Sequence, residues 1–406
     1  MTPIRVLLAA RGLRGFVDGF VAVLLPAYLL ALGFDTFDVG LLSTTTLAGS
    51  ALATVLLGAA GHRWPQRRLL LGAAWLMVAT GLGFVGLASF WPLLLVAFVG
   101  TLNPSSGDVS VFLPLEHARL AGAASGDART ALFARYSLTG ALSAAFGALA
   151  SGLPPWLAAQ AGVPLLHGLR AMFGLYALAG LAVGVLYLQL PPPQAESSQR
   201  PAPLGPSRGV VFRLAALFSV DAFAGGLLVN SLLALWLFQR FGLSLAQAGS
   251  FFFWAGLLAA ASQLAAPVVA RRIGLLNTMV FTHIPANLCL IAAALSPSLP
   301  WALALLFVRA ALSQMDVPTR SAFVMAVVTP AERTAAASFT AVPRSLAAAA
   351  SPALAGAMLA AGYLSAPLLA CGVLKIGYDL AILFAFRRVE IEPPDQAASV
   401  SRSGDK

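Results

Sequence analysis

Cysteine, histidine and charge are all scarce in this 406-residue chain, and each scarcity removes a class of function. The two cysteines, Cys289 and Cys371, lie in separate apolar runs, form no Cys-x-x-Cys pair and stand near no histidine cluster. They read as packing residues, with soft-metal handling as the alternative. The four histidines, His62, His117, His167 and His283, are dispersed among loops and helix ends. There is no His-Glu-x-x-His, no nucleotide-binding glycine loop before a strand and no Ser-His-Asp order, so neither an enzyme nor a metal or cofactor site is expected. A single-chain primary pump is excluded with them, because no Gly-x-x-x-x-Gly-Lys-Ser/Thr occurs.

Only 10% of the residues are charged while 59% are hydrophobic, for a mean hydropathy of +0.86, a balance that would aggregate in water. The net charge of +10 forms no basic stripe. Its arginines sit at the ends of apolar runs, where they orient a chain in a bilayer, so no nucleic-acid partner is expected. The first apolar stretch carries Arg11, Arg14 and Asp18 and lacks a convincing cleavage site, which argues against a removable signal peptide.

What is abundant is apolar sequence in pieces of membrane-crossing length. A hydrocarbon core of roughly 30 Å needs about 20 helical residues. Twelve such runs are predicted, at 12–32, 39–61, 69–89, 92–115, 130–153, 169–190, 210–238, 246–269, 275–295, 300–325, 334–361 and 364–386. Residues 1–190 are expected to form one six-helix bundle and 210–388 a second, with the proline-rich stretch 191–209 as a flexible linker and 389–406 as a disordered tail. Arg63, Arg67, Arg68, Arg119, Arg129, Arg200, Arg208, Arg271, Arg272, Arg333, Arg387 and Arg388 fall in even-numbered connections or the tail, whereas the odd-numbered ones hold almost only Arg170 and Arg240. That asymmetry places both termini in the cytoplasm of a multi-pass inner (plasma) membrane protein.

The two halves repeat. Gly33 and Gly40 recur as Gly242 and Gly249 at an offset of about 209 residues, and Asp108 recurs as Asp316 at an offset one residue shorter. The loop Gly58-Ala-Ala-Gly-His62-Arg63-Trp64-Pro65-Gln66-Arg67-Arg68 recurs as Pro267-Val-Val-Ala-Arg271-Arg272-Ile273-Gly274. A glycine, then an acidic-Arg pair four and five residues on, then a turn and further basic residues between the second and third helices is the loop signature of the major facilitator superfamily, which this chain resembles over essentially its whole length. Gly58, Arg63, Arg67 and Arg68 carry the match; His62 stands at the family's acidic position and Pro65 at its turn glycine. The resemblance implies that Gly58, His62, Arg63, Arg67, Arg68, Arg271 and Arg272 form a gating loop that braces helix ends as the bundles rock. Asp316-Val-Pro-Thr-Arg320 followed by Glu332-Arg333-Thr334 resembles a less characterised bacterial branch of the same family. That family's helix-5 antiporter signature is suggested by Gly140, Gly147 and Gly152, without its proline.

Charges inside apolar helices are the sharpest site signal, since each costs about 2.5–3.5 kcal/mol unless paired or wetted. Arg14 and Asp18, and likewise Lys375 and Asp379, are four apart and predicted to pair on one helix face. Arg309, Ser313, Asp316 and Arg320 form a predicted stripe down helix 10. Arg135 and Arg344 lack a local acid and await an interhelical partner or an anionic solute, and Asp221 lies beside Gly225 and Gly226. Trp236, Phe251 to Phe253 and Trp254 read as interface or packing aromatics rather than a ligand cage. The expected architecture is an all-α fold of twelve transmembrane helices in two pseudo-symmetric six-helix bundles around a central cavity. The expected function is alternating-access movement of a small solute by a monomer. Protons are the coupling ion, with Asp316, Asp108, Asp18 and Asp221 as coupling candidates and Arg309, Arg135, Arg344, Arg14, Lys375 and Asp379 as cavity or substrate candidates. An apolar cavity would favour efflux by antiport. The alternatives are organic-anion uptake or exchange, and a non-transporting sensor on the same fold.

Overall fold

The computed structural model describes residues 2–105, 110–123, 126–191, 205–329 and 332–387; residues 192–204 of the predicted linker, the predicted tail and Asp108 lie outside the described residues. Among the described residues the regular structure is helical throughout. The first half runs α1 (Pro3–Ala31), α2 (Thr36–Ala60), α3 (Gln66–Gly86), α4 (Phe90–Val99), α5 (Phe112–Ala123), α6 (Gly126–Ala150), α7 (Leu153–Ala161) and α8 (Leu165–Leu188). The second runs α9 (Arg208–Gly226), α10 (Asn230–Phe241), α11 (Leu245–Ile273), α12 (Leu275–Leu295), α13 (Leu299–Ser313), α14 (Asp316–Ala326), α15 (Arg333–Ala350), α16 (Pro352–Ala360) and α17 (Ala366–Phe386).

Nine helical stretches of the described residues are long and apolar enough to cross a bilayer. Four of the twelve predicted spans are broken instead of continuous: 92–115 into α4 and α5, 210–238 into α9 and α10, 300–325 into α13 and α14, and 334–361 into α15 and α16. Proline explains two of the breaks. Pro318 sits in the first turn of α14, where its missing N–H is least costly, and Pro352 opens α16 at N1. Asp316 then falls at the positive end of α14.

The repeat read from sequence is a repeat of local structure. Gly33 and Gly242 both take a positive φ (90° and 66°), the left-handed conformation that ends α1 and α10. The next helices open with matched capping boxes: Asp35 accepts from Asp38 N before α2, and Ser244 accepts from Gln247 N before α11. Within the first half, α1 and α6 pack backbone to backbone. Gly15 faces the Gly140 backbone, Gly19 lies against the Ala144 carbonyl and Gly147 against the Phe16 carbonyl, so that a Cβ at Gly19 or Gly147 would run into a carbonyl oxygen. Two of the three glycines of the suggested antiporter signature therefore have a packing role, and Gly140 also borders the Arg11 side chain. The bundle exteriors expose Trp75, Trp91, Trp156, Trp254, Trp301 and Tyr363, a surface suited to lipid, whereas Trp236 is fully buried.

The halves touch through α2 against α15 and α16, α6 against α11, and α1 against α10 and α11. The repeat glycines make the closest approaches. A Cβ on Gly40 would lie 2.6 Å from the Pro352 carbonyl and 2.8 Å from Gly356 Cα; one on Gly249 would lie 2.5 Å from the Ala148 carbonyl. Thr44 Oγ1 accepts from Ala353 N at 2.9 Å, and Gly152 abuts Ala246. These contacts close the molecule on the side of its odd-numbered connections.

Candidate functional site

Behind that closure lies a cavity of about 250 Å³ between the halves. Its walls come from α1 and α6 on one side and α10, α11 and α13 on the other, with Ser105 at the α4–α5 break. Small residues of α1 and α6, among them Gly19, Ala144 and Ala148, leave the space open; Phe251, Phe252 and Leu306 supply apolar wall, and Asn230, Gln263 and Gln314 supply amides. Two cations line it, Arg11 from the first half and Arg309 from the second, and none of the lining residues is acidic. The expectation of an apolar cavity is thus corrected, and Phe251 and Phe252 are lining residues as well as packing ones. Sequence reasoning missed Arg11, because its position near a helix start reads as a topology signal.

The remaining intramembrane charges are packed inside each half, and their pairing corrects the helix-local reading. Arg14 bonds Glu116 of α5, and Glu116 also accepts from Tyr136 and, at 2.6 Å, from Tyr187. Glu116 is fully buried. Arg14 lies 4.2 Å from the centroid of the Phe112 ring. Asp18 remains within the field of Arg14 and Arg11 and shares a hydrogen bond with Asn103. Sequence reasoning also missed Glu116, which looks like a loop acid at the end of a span until α5 is seen to start anew at Phe112.

In the second half, Lys375 Nζ lies 2.6 Å from Asp221 Oδ1 instead of pairing with Asp379 four residues on. Asp221 Oδ2 also receives Arg320 at 2.9 Å, and Arg320 in turn bonds Asp316. The predicted stripe therefore does not run down one helix: α13 ends at Ser313, so Arg309 and Ser313 face the cavity while Asp316 and Arg320 join the bundle network. Asp379 Oδ1 meets His283 Nδ1 at 2.9 Å, with Asn287 Nδ2 at 3.5 Å from the other oxygen. His283 is accordingly a buried mid-helix residue and not a helix-end one. Three carboxylates, Asp221, Asp316 and Asp379, thus contact two cations and one imidazole. Arg135 and Arg344 are exposed and line no part of the cavity.

At the even-numbered connections, Arg67 donates to the Leu188 carbonyl at 2.6 Å and Gln66 to the Leu115 carbonyl at 2.5 Å, tying the connection between α2 and α3 to α8 and α5. Arg63, Arg68, Arg271 and Arg272 are exposed, a Cβ on Gly58 would meet nothing within 4 Å, and the His62 side chain lies outside the described residues. The second half has a different brace. Glu332 accepts from the Gly205 and Ser207 amides and from Thr329 Oγ1 at 2.6 Å, joining the start of α9 to the connection before α15. Hydrogen bonds from Ser207 and Thr329, and then the Gly205 amide, hold its carboxyl at about 2, below the usual carboxylate range. A carboxylate with a depressed folded pKa stabilises above its unfolded value of 4.5, and that stabilisation is lost as pH falls toward about 2. Glu332→Gln is expected to lower the melting temperature at pH 7 and to narrow its gap from the parent protein between pH 4.5 and 2, measured by thermal unfolding in detergent.

The geometry has counterparts among known proteins. The family model described as Major Facilitator Superfamily matches residues 7–317. An uncharacterized membrane protein of Saccharomyces cerevisiae, YJR124C, is 24% identical over 95% of this chain and 94% of its own length. The crystal structure of the nucleoside transporter NupG superposes with a TM-score of 0.68 at 16% identity, covering 95% of this chain and 98% of that one. The human organic anion transporter MFSD10 (TETRAN) does so with a TM-score of 0.64 at 20% identity, covering 95% and 99%. With a family model spanning most of its length and a fold shared end to end with solved transporters, the chain belongs to the Major Facilitator Superfamily and is a multi-pass membrane transporter of a small solute.

Proposed function

We propose that the protein is a proton-coupled secondary transporter of the plasma membrane that works by alternating access as a monomer, with both termini and the linker cytoplasmic. The observation that carries the reading is the cavity between the halves, closed on one side by helix ends from both. In the proposed orientation, the closed side is the outer one and the cavity belongs to an inward-facing state. Coupling rests on the second-half network, where rocking that weakens one contact of a buried carboxylate favours its protonation. Asp316, which among the described residues pairs with Arg320, is the proposed coupling residue, with Asp221 and Asp18 as buried alternatives and Asp108 as its counterpart in the repeat. The polar lining removes the ground on which efflux was preferred, so direction follows from the sign of the pH response.

The test is flux in proteoliposomes loaded with a pH-sensitive dye and challenged with a panel of metabolites and drugs. Wild-type protein is expected to move at least one panel member with a matching change in lumenal pH. Asp316→Asn should abolish proton-driven accumulation yet keep solute exchange, because a neutral amide mimics the protonated acid but releases no proton. Solute flux without any pH change overturns the coupling, and no flux with any member favours the non-transporting sensor.

A further inference from the structure

Buried cations in this molecule come with carboxylates. Arg14 has Glu116, Arg320 has Asp221 and Asp316, and Lys375 has Asp221, each within salt-bridge distance, while Arg11 stands beside Asp18 and 5.2 Å from the centroid of the Tyr136 ring. Arg309 is different. It is only partly buried, and no carboxylate among the described residues lies within salt-bridge distance of it. It lies where α13 borders the cavity, opposite the Arg11 of α1, and no acidic side chain among the described residues lines the space between the halves.

A guanidinium held in a bilayer without a counter-ion is costly, and that cost falls when an anion enters. A guanidinium also offers a planar fork of donors that matches a carboxylate in bidentate fashion. Phe251, Phe252 and Leu306 provide the apolar wall that such a molecule's body needs, and a volume of about 250 Å³ limits it to a small one. We propose that the transported solute is a small organic anion with an apolar body, whose anionic head is held by Arg309 of the second half together with Arg11 of the first. Because the two arginines belong to different halves, an anion between them stabilises the arrangement that brings them together, which is the differential affinity a ligand needs to shift a conformational equilibrium. This assignment rests on the transport reading for its meaning, but it is a statement about binding and is tested as one.

The probes are matched sets that differ only in charge: benzoate, benzamide and benzylamine, with hexanoate, hexanamide and hexylamine as the aliphatic set. Binding to the purified full-length protein in detergent is followed by thermal shift and calorimetry. The carboxylates are expected to raise the melting temperature and the amides and amines to leave it unchanged. Arg309→Gln should weaken carboxylate binding by about ten- to a hundredfold, the range of a lost charge-assisted hydrogen bond, and Arg309→Lys should retain part of it. Ligand-free Arg309→Gln should melt no lower than the parent, because it removes a partly buried charge that no carboxylate among the described residues neutralises; a lower melting temperature would mark the arginine as structural. Exposed Arg135→Gln is the control and should bind as the parent does. The proposal is overturned if no carboxylate binds, if amides or amines bind as well as carboxylates, or if Arg309→Gln keeps parental affinity. Charge-selective binding without flux sinks the transport reading and leaves this one standing; flux without charge selectivity does the reverse.

Discussion

Glu116→Ala is expected to yield little or no folded, monodisperse protein. The carboxylate is fully buried and bonded to Arg14, Tyr136 and Tyr187, so its removal leaves a guanidinium and two phenols without their common acceptor. Breaking a buried pair by deleting one partner costs about 3–5 kcal/mol, and a domain's whole stability is about 5–15 kcal/mol. Glu116→Gln keeps an acceptor for the phenols but not the charge, and should fall between. The double variant Arg14→Met with Glu116→Leu should recover much of the loss, since an apolar pair of similar volume replaces both charges. Size-exclusion profiles and melting temperatures of the parent and the three variants check this; parental behaviour of Glu116→Ala would mean that water, not Glu116, satisfies Arg14.

Gly40→Leu should reduce transport to background while leaving each half folded. In the closed arrangement even a Cβ at this position stands 2.6 Å from the Pro352 carbonyl and 2.8 Å from Gly356 Cα, both backbone atoms that cannot turn aside. A leucine therefore holds α2 and α16 apart and removes the state closed on the side of the odd-numbered connections. Gly249→Leu should act in the same way through Ala148 of α6, because the repeat places the second glycine at the equivalent contact. Gly86→Leu is the matched control, with nothing within 4 Å of its Cβ position. The readout is reagent access to a single cysteine at Ser43 in a cysteine-free background: slow in the parent, fast in both glycine variants. Unchanged access would show that closure does not depend on these contacts.

Both predictions rest on features of unequal visibility in the sequence. Gly40 and Gly249 could be found as a repeated pair, yet their identity says only that something comes close; that Gly356 and Ala148 are what approaches is a fact about helices from opposite halves. Glu116 is the reverse case, a residue whose place at the end of a span gave no sign of its role. Lys375 and Asp379 show why. Four-residue spacing puts two side chains on one face of a helix, but each then chose a partner on another helix, Asp221 and His283, because in a packed bundle the face of one helix is the interior of several.

By itself the sequence determined what depends on neighbours along the chain. Apolar length fixed which segments enter the bilayer, proline and glycine placed the ends and breaks of helices, and the matched caps at Asp35 and Ser244 record the duplication directly. Those quantities are local, and backbone hydrogen bonding inside a bilayer must be satisfied within each segment. Only the tertiary structure decided which charges neutralise one another and which is left facing the cavity. Electrostatic pairing follows distance through space: Arg14 and Glu116 come together only when the first bundle has folded, and Arg11 and Arg309 line one cavity only when the two bundles have met.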